Sequence, residues 1–414
     1  MQKLIVIGGG AAGFFCAVNA ARLRPDLKVI LLEKSGKLLS KVKVSGGGRC
    51  NTTHACFEIP TLVKKYPRGE TFLKKAFHQF NTNHTIQWFL ERGVGLHQES
   101  DGRMFPTTNQ SQTIIDCLLK EADQFKVQII LHSEVKSIEQ TLEGFKLIVG
   151  STSNATPESL SMNTQFICIA CGGYPKSEMF NWLRKLNHTI QSPVPSLFTF
   201  NIPKHPIATL MGLSVPHATV KIVGTKLKEA GPLLITHWGL SGPVILRLSA
   251  WGARQLSEMQ YHFTIQVNWL GDTNEAQLRD EWGFYREQFA AQKMGGKNPF
   301  SLPARLWNFM LESSGIAADI RWAELKSQQQ NKLIQLLTVF PFEVKGKTTF
   351  KEEFVTCGGI TLAEINAQTM ESKLIHNLFF AGEIMDIDGI TGGFNFQHAW
   401  TSGWIAASAI TDKY

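Results

Sequence analysis

Leu4-Ile5-Val6-Ile7-Gly8-Gly9-Gly10-Ala11-Ala12-Gly13 is the stretch that decides the fold. Four apolar residues read as a buried strand, and a helical pattern from Ala11 to Leu23 follows the glycines. Glycines at 8, 10 and 13 give G-x-G-x-x-G, the spacing of a dinucleotide-binding turn. Gly8 allows the tight turn, Gly10 lets a pyrophosphate approach the backbone, and Gly13 lets the helix pack closely on the strand. The helix N-terminus then offers free N–H groups and a positive dipole end to phosphate. A second apolar strand, Lys28 to Leu32, ends at Glu33, 20 residues beyond Gly13. A carboxylate there accepts hydrogen bonds from a ribose hydroxyl, and its charge disfavours a 2′-phosphate.

Outward from this turn, Ser35 to Asn51 reads as a loop containing Ser45-Gly46-Gly47-Gly48-Arg49-Cys50-Asn51. Helical segments follow near 71–92, then the turn Asp101 to Pro106, and Thr107 or Thr108 would cap a helix reaching about residue 124. Strands at about 127–132, 134–139 and 145–149 precede a polar loop at 151–164. A buried strand, Phe166 to Ala170, then ends in Cys171-Gly172-Gly173. From Pro193 to about Val267 short strands alternate with Gly and Pro turns, which predicts a small β-barrel or sandwich. One helix, Val244 to Leu256, interrupts it, with Pro243 in its first turn. Residues 274–340 are helical in pattern, and α/β character returns beyond Lys351. The simplest account is a discontinuous α/β domain over 1–190 and 345–414. It carries a β-barrel-like insert at 191–270 and a helical insert at 271–344.

The 414 residues contain no apolar run of 18, so no membrane span is expected. Lys3 and the apolar start resemble a signal peptide, but the triple glycine breaks that stretch and the nucleotide turn must stay attached. Seven cysteines without regular pairing fit a reducing cytoplasm. A net charge of +8 and a pI near 9.0 suit an anionic partner. The basic residues are scattered, however, and the densest run, Lys64-Lys65 to Arg68 with Lys74-Lys75, reads as a solvated face.

A nucleotide turn alone does not distinguish NAD from FAD, and the C-terminal segment goes further. Ala381-Gly382-Glu383 ends a strand, and Gly389 to Asn395 leads into the last helix, Phe396 to Ile410. FAD spans a whole domain and needs a second contact region. An acid after a strand can bind ribityl hydroxyls, and N–H groups at a helix start can face the N1–C2=O edge of the flavin. The plain alternative is a strand–turn–helix with no ligand.

Several runs resemble the bacterial HI0933-like flavoproteins from end to end. They are Ser45 to Asn51, Gly102 to Pro106, Thr236-His237-Trp238-Gly239-Leu240-Ser241-Gly242-Pro243, Thr356 to Ile360, Thr369 to Lys373 and Ala381 to Gly389. That family includes proteins called aminoacetone oxidase and others linked to bile-acid reduction. The resemblance implies a Rossmann-like FAD domain of the two-dinucleotide-binding type with an inserted β-barrel and a small helical domain. It implies pyrophosphate contacts at Gly8, Gly10, Ala12 and Gly13, and ribose contact at Glu33 and Lys34. Ser45, Gly47, Arg49 and Cys50 would lie along the cofactor, Val135 beside the adenine, and Ala170 and Gly172 at the strand end. Gly382 and Glu383 would meet the ribityl chain, and Gly393, Phe394 and Asn395 the pyrimidine edge. The sequence departs from the family after Lys176. There a glycine-rich turn gives way to a predicted helix, Ser177 to Trp182.

The reading that results is an FAD-dependent oxidoreductase passing a hydride or electron pair through flavin N5. Its substrate is a small molecule, either an amine or amino ketone to be oxidised or an unsaturated ketone to be reduced. NAD(P)H would bind transiently, since no second G-x-G-x-x-G exists, or dioxygen would take its place. His237 is the acid–base candidate, with Ser241 at the following helix start and Arg103 as an anion binder. The plainer readings make His237 and Ser241 a helix cap and Arg103 a salt-bridge partner. Cys50 and Cys56 are spaced C-x5-C, not the C-x4-C of flavin disulfide reductases, so a redox disulfide is not expected. No ligand spacing predicts a metal; His97, His132 and His188 show none. The rival is a flavin-dependent tRNA-modifying enzyme, against which stands the missing basic–aromatic stripe. A flavin-holding protein without turnover is the third reading, and oligomeric state stays open.

Overall fold

The computed structural model describes residues 2–152, 159–349 and 355–413. The middle of the polar loop expected at 151–164 and the return expected at Lys351 lie outside them. The chain divides into two compact units, Met1–Ser196 with Lys351–Tyr414, and Leu197–Phe350.

The first unit is built on a five-stranded parallel sheet. Its order is Leu378–Phe380, Phe166–Ile169, Lys3–Ile7, Lys28–Leu32 and Gln128–Ile130. Leu4 pairs with Phe166 on one side and Val29 on the other. These strands are continuous apolar runs because both sheet faces are covered. The helix Ala11–Leu23 packs on the last helix, Phe394–Asp412. Gly403 makes the approach possible, since a Cβ there would lie 2.7 Å from the Ala12 carbonyl oxygen. Phe15, Trp88, Phe89 and Trp400 fill the space around that contact, and Asn19 is satisfied there by Phe15 and Trp88. A three-stranded antiparallel sheet (Ser133–Thr141, Gly144–Ser151, Ser159–Thr164) follows the fifth strand.

The second unit carries a seven-stranded sheet that runs from Phe340–Lys345 through His262–Asn268, Ser214–Ile222 and Lys228–Ile235 to Lys347–Thr348. Its first and last strands are separated in sequence by Gly346 alone. That residue donates to Tyr261 O at 2.8 Å and accepts from Asn201 N–H at 3.1 Å, so it stitches the two edges together. The helices Glu275–Gln288, Ala304–Ser313 and Ser327–Thr338 do not bury a core of their own. Trp282, Trp307 and Trp322 join Trp269, Phe340 and Val267 in one apolar cluster, so the boundary expected at 270/271 divides a shared core.

The helical segments near 71–92 stand as expected, as Glu70–Phe77 and Thr82–Leu90, parted where Asn81 and His84 form a reciprocal cap. Local expectations are corrected in several other places. The helix at 244–256 breaks at Gly252. The loop 35–51 contains a helical turn beginning at Ser40. Neither Thr107 nor Thr108 caps the helix Ser111–Gln124; Gln110 holds that position and Thr108 pairs with the Thr113 hydroxyl. No described helix is long and apolar enough to cross a membrane.

Candidate functional site

The glycine turn has the shape that its sequence demands. Gly8 has φ +116°, and a Cβ there would lie 2.5 Å from Ala170 O. Gly13 is pressed on Gly8, while a Cβ at Gly10 would meet nothing within 4 Å. Gly10 is the N-cap of Ala11–Leu23, with no side-chain cap and no acidic residue in the first turn. The first N–H groups of this helix are therefore available to an anion. Gly382 meets the same place, its missing Cβ 2.8 Å from that of Ala12, and donates its N–H to Ser402 Oγ.

Glu33 braces this loop. One oxygen accepts Gly9 N–H at 2.8 Å, and the other accepts both the N–H and the hydroxyl of Ser35. Lys34 is exposed and lies over the Tyr174 ring. Val135 sits at a bulge in the antiparallel sheet, and Gly172 has φ +75° with open space where a side chain would be.

Gly46, Gly47 and Gly48 all have positive φ, and Cys50 follows at φ +61°. Three successive residues at positive φ are backbone that side-chain-bearing residues rarely adopt, which is why glycines stand there. Ser45 donates its hydroxyl back to Val42 O. Arg49 stacks on Phe105 at 4.0 Å and binds Glu99 at 2.6 Å. Arg103 takes the other Glu99 oxygen at 2.8 Å and Asp101 at 2.7 Å. The anion-binding candidate Arg103 thus carries two carboxylate partners, as the salt-bridge reading expects. Burial pushes the Cys50 thiol up to about 11, which makes it a poor nucleophile.

Glu383 spans two elements, accepting Thr356 N–H at 2.7 Å and Lys41 Nζ at 2.6 Å. Gly173 lies against it; a Cβ there would sit 2.8 Å from its Oε1. At the last helix Gly393 has φ +93° and is the N-cap, with Thr53 O only 2.5 Å from a notional Cβ. The Asn51 amide, oriented to donate to Thr53 O, accepts Gly393 N–H at 3.0 Å. The Phe394 ring is buried and stacks on His54 at 4.7 Å, and its carbonyl accepts the Tyr66 hydroxyl. Asn395 closes on both backbone groups of Gly389. Gly393 has no side-chain cap and the first turn holds no acidic residue, so the N–H groups that follow it are open to an acceptor, as at Gly10.

His237 and Ser241 belong to the second unit. His237 is exposed beside Trp238, and Ser241 lies in the short strand Gly239–Ser241. Gly242 is the N-cap of Pro243–Trp251 and no side chain caps it, so the capping role expected of these two residues is not seen. Thr236 holds the turn instead. No group of three metal-ligating side chains exists among the described residues.

Sequence reasoning missed Lys41, His54 and His398. Lys41 lies in a helical turn too short and glycine-bounded to show a period. His398 is fully enclosed, with Nε2 3.2 Å from Gly382 O and no partner for Nδ1 among the described residues. Burial lowers its pKa to about 4. Its position on the last helix, three residues from Asn395, carries no signal that separates it from an ordinary core residue.

A family model described as the HI0933-like protein Rossmann domain matches residues 2–409. The chain is 30% identical to a ribosomal RNA dihydrouridine synthase of Escherichia coli, over 98% of this chain and 97% of that one. It is 25% identical to a 3-dehydro-bile acid delta(4,6)-reductase of Clostridium scindens over the whole of both. In fold it is similar to a 3-ketosteroid delta1-dehydrogenase from Sterolibacterium denitrificans, with 13% identity, a TM-score of 0.51 and full coverage of both chains. With a glycine turn open to a dinucleotide on its parallel sheet and a family model that matches it almost end to end, this chain belongs to the HI0933-like family of flavoprotein oxidoreductases.

Proposed function

We propose that this chain is an FAD-dependent reductase of a carbon–carbon double bond conjugated to a carbonyl. The observation that carries the reading is the uncapped helix start at Gly10, where open backbone lies between Gly8, Ala12 and Gly382. When bound, FAD supplies hydride-transfer chemistry at N5. The chain's own residues do the rest. The first-turn N–H groups of Ala11–Leu23 would hold the pyrophosphate, and Glu33, which fixes Gly9, would accept from a ribose hydroxyl. Glu383, held by Lys41 and Thr356, would accept from ribityl hydroxyls. His237, exposed on the second unit, is our candidate for the proton that completes the reduction.

A uracil of ribosomal RNA is the substrate we favour. Its C5=C6 bond is conjugated to the C4 carbonyl, so it makes the same chemical demand as an unsaturated ketone. The scattered basic residues offered no reason to expect nucleic acid, but two relatives, from Escherichia coli and Haemophilus influenzae, carry the ribosomal RNA name over 98% of this chain. The net charge of +8 suits that partner. A small unsaturated ketone is the second reading, favoured by the Clostridium scindens relative.

The test is an anaerobic incubation of FAD-loaded protein with NADH or NADPH and protein-free ribosomal RNA, followed by digestion and mass spectrometry. Uridine heavier by two hydrogens supports the RNA reading. Untouched RNA beside a reduced 3-keto-4,6-diene steroid selects the second one, and failure on both substrates removes the reductase reading.

A further inference from the structure

We propose that the outer face of the second unit's sheet is an RNA-docking surface on which Lys228, Lys221 and Lys345 grip backbone phosphates. This inference rests on the RNA reading above. Directly paired residues in an antiparallel sheet share a face. Lys228 pairs with Lys221, Lys221 with Gln266, and Gln266 with Pro341. The pleat carries Thr264 and His262 to the same side as Gln266, and Glu343 and Lys345 to the same side as Pro341. The opposite face holds Val220, Ile222, Ile265, Val267, Phe342 and Val344, all in the core. The face that bears the lysines is therefore the outward one, and all three are exposed.

The placement of charge on this face is unusual. Like charges directly opposite one another destabilise a sheet, yet Lys221 and Lys228 are such a pair. Glu229, next in sequence to Lys228, pairs with Val220 on the inner side and holds Arg247 there. Glu343 is on the outer face, and one of its oxygens accepts the Thr264 hydroxyl. Among the described residues none of the three lysines forms an ion pair. Lys226, exposed in the turn beyond Lys221, extends the same charge.

A face that needed only solubility would be better served by mixed signs. A polyanion laid across it turns the repulsion into attraction, because each phosphate sits between ammonium groups. Three strand spacings separate the strand of Lys228 from that of Lys345, about 14 Å, enough to meet several phosphates of one backbone. Val223, 43% exposed, is the one exposed large apolar side chain in the turn among the described residues, so the face offers little to a lipid bilayer or an apolar protein surface.

The experiment uses the full FAD-loaded chain and a fluorescein-labelled RNA hairpin containing unpaired uridines. Binding is followed by anisotropy between about 50 and 200 mM salt. The triple variant Lys221→Gln, Lys228→Gln, Lys345→Gln should bind about tenfold more weakly at the low end. Its slope of log affinity against log salt should be shallower by about 2–3. FAD content should stay unchanged, and melting temperature unchanged or higher, because a repulsive pair has been removed. The single variant Glu343→Gln should bind more tightly than the parent chain. If the parent binds RNA with a salt-dependent affinity that the triple variant shares, the docking face is wrong and the RNA reading stands. If the parent shows no salt-dependent RNA binding, both fall.

Discussion

Gly13 sits so close to Gly8 that a Cβ added at 13 would lie 1.9 Å from the Gly8 carbonyl oxygen. At Gly10, by contrast, an added Cβ would meet nothing within 4 Å. The two glycines therefore serve different ends. Gly13→Ala should destabilise the first unit by about 1–3 kcal/mol or more, because backbone must move. Gly10→Ala should leave unfolding by urea unchanged while lowering FAD retention after gel filtration, since the methyl group fills the space meant for phosphate. Normal FAD content in the Gly10 variant would remove Gly10 from the cofactor site.

Glu33 offers a similar separation. Its carboxylate satisfies Gly9 N–H and Ser35 before any ribose arrives. Glu33→Ala should cost about 1–3 kcal/mol for the unsatisfied donors and weaken FAD binding as well. Glu33→Gln keeps an acceptor for Gly9, so stability should recover more than FAD affinity does. Equal recovery of both would show that Glu33 acts on the loop alone.

What could be read from the sequence follows from how local each signal is. The turn Gly8–Gly13 and the acid at Glu33 are set by backbone sterics and strand length, and both stand where their spacing puts them. The buried parallel strands were legible as apolar runs. Asn81 was not read as a helix break, because its cap depends on a side-chain bond to His84 that a periodic pattern does not reveal. Lys41–Glu383 joins residues 342 positions apart, and no local pattern encodes such a pair. The shared core of the inserts escaped for a related reason: Trp282 and Trp322 look like the interior of a small helical domain until the strands that they pack with are known.

Arg68 and Asp388 form another distant pair. Asp388 is completely buried, bound by the Arg68 guanidinium and by the Ser196 hydroxyl at 2.6 Å. Burial pushes the Asp388 carboxyl up, and Arg68 opposes that rise. Arg68→Ala strands a buried carboxyl and should cost about 3–5 kcal/mol in urea unfolding. The double variant with Asp388→Asn should recover part of that loss. No recovery would mean that Arg68 acts by packing and not by charge.

His237→Ala tests the candidate proton donor. The side chain is exposed and caps no helix, so its removal should leave stability and FAD content unchanged. Turnover with an unsaturated ketone or RNA should fall by about a hundredfold to ten-thousandfold if the imidazole supplies a proton. Unaltered turnover would return His237 to an ordinary surface residue.

His398 gives the chain a pH dependence whose sign is fixed by burial. The ring is enclosed on the last helix, with one nitrogen directed at Gly382 O, and its pKa is lowered from 6.5 to about 4. Between those values the unfolded chain binds the proton and the folded chain does not, so acidification favours unfolding. The stability tied to His398 is complete above about pH 6.5 and is lost as the pH falls toward about 4, by roughly 3 kcal/mol. His54, His188 and His205 are also lowered by burial and act in the same direction, while the raised Asp388 carboxyl acts in the opposite one, so the comparison is made between the parent and the variant. His398→Gln retains a donor for Gly382 and cannot titrate, so its slope over this range should be shallower by up to one proton. Urea unfolding of both proteins at about pH 7 and about pH 4.5 measures the difference. Parallel slopes would mean that the ring reaches solvent in the folded chain.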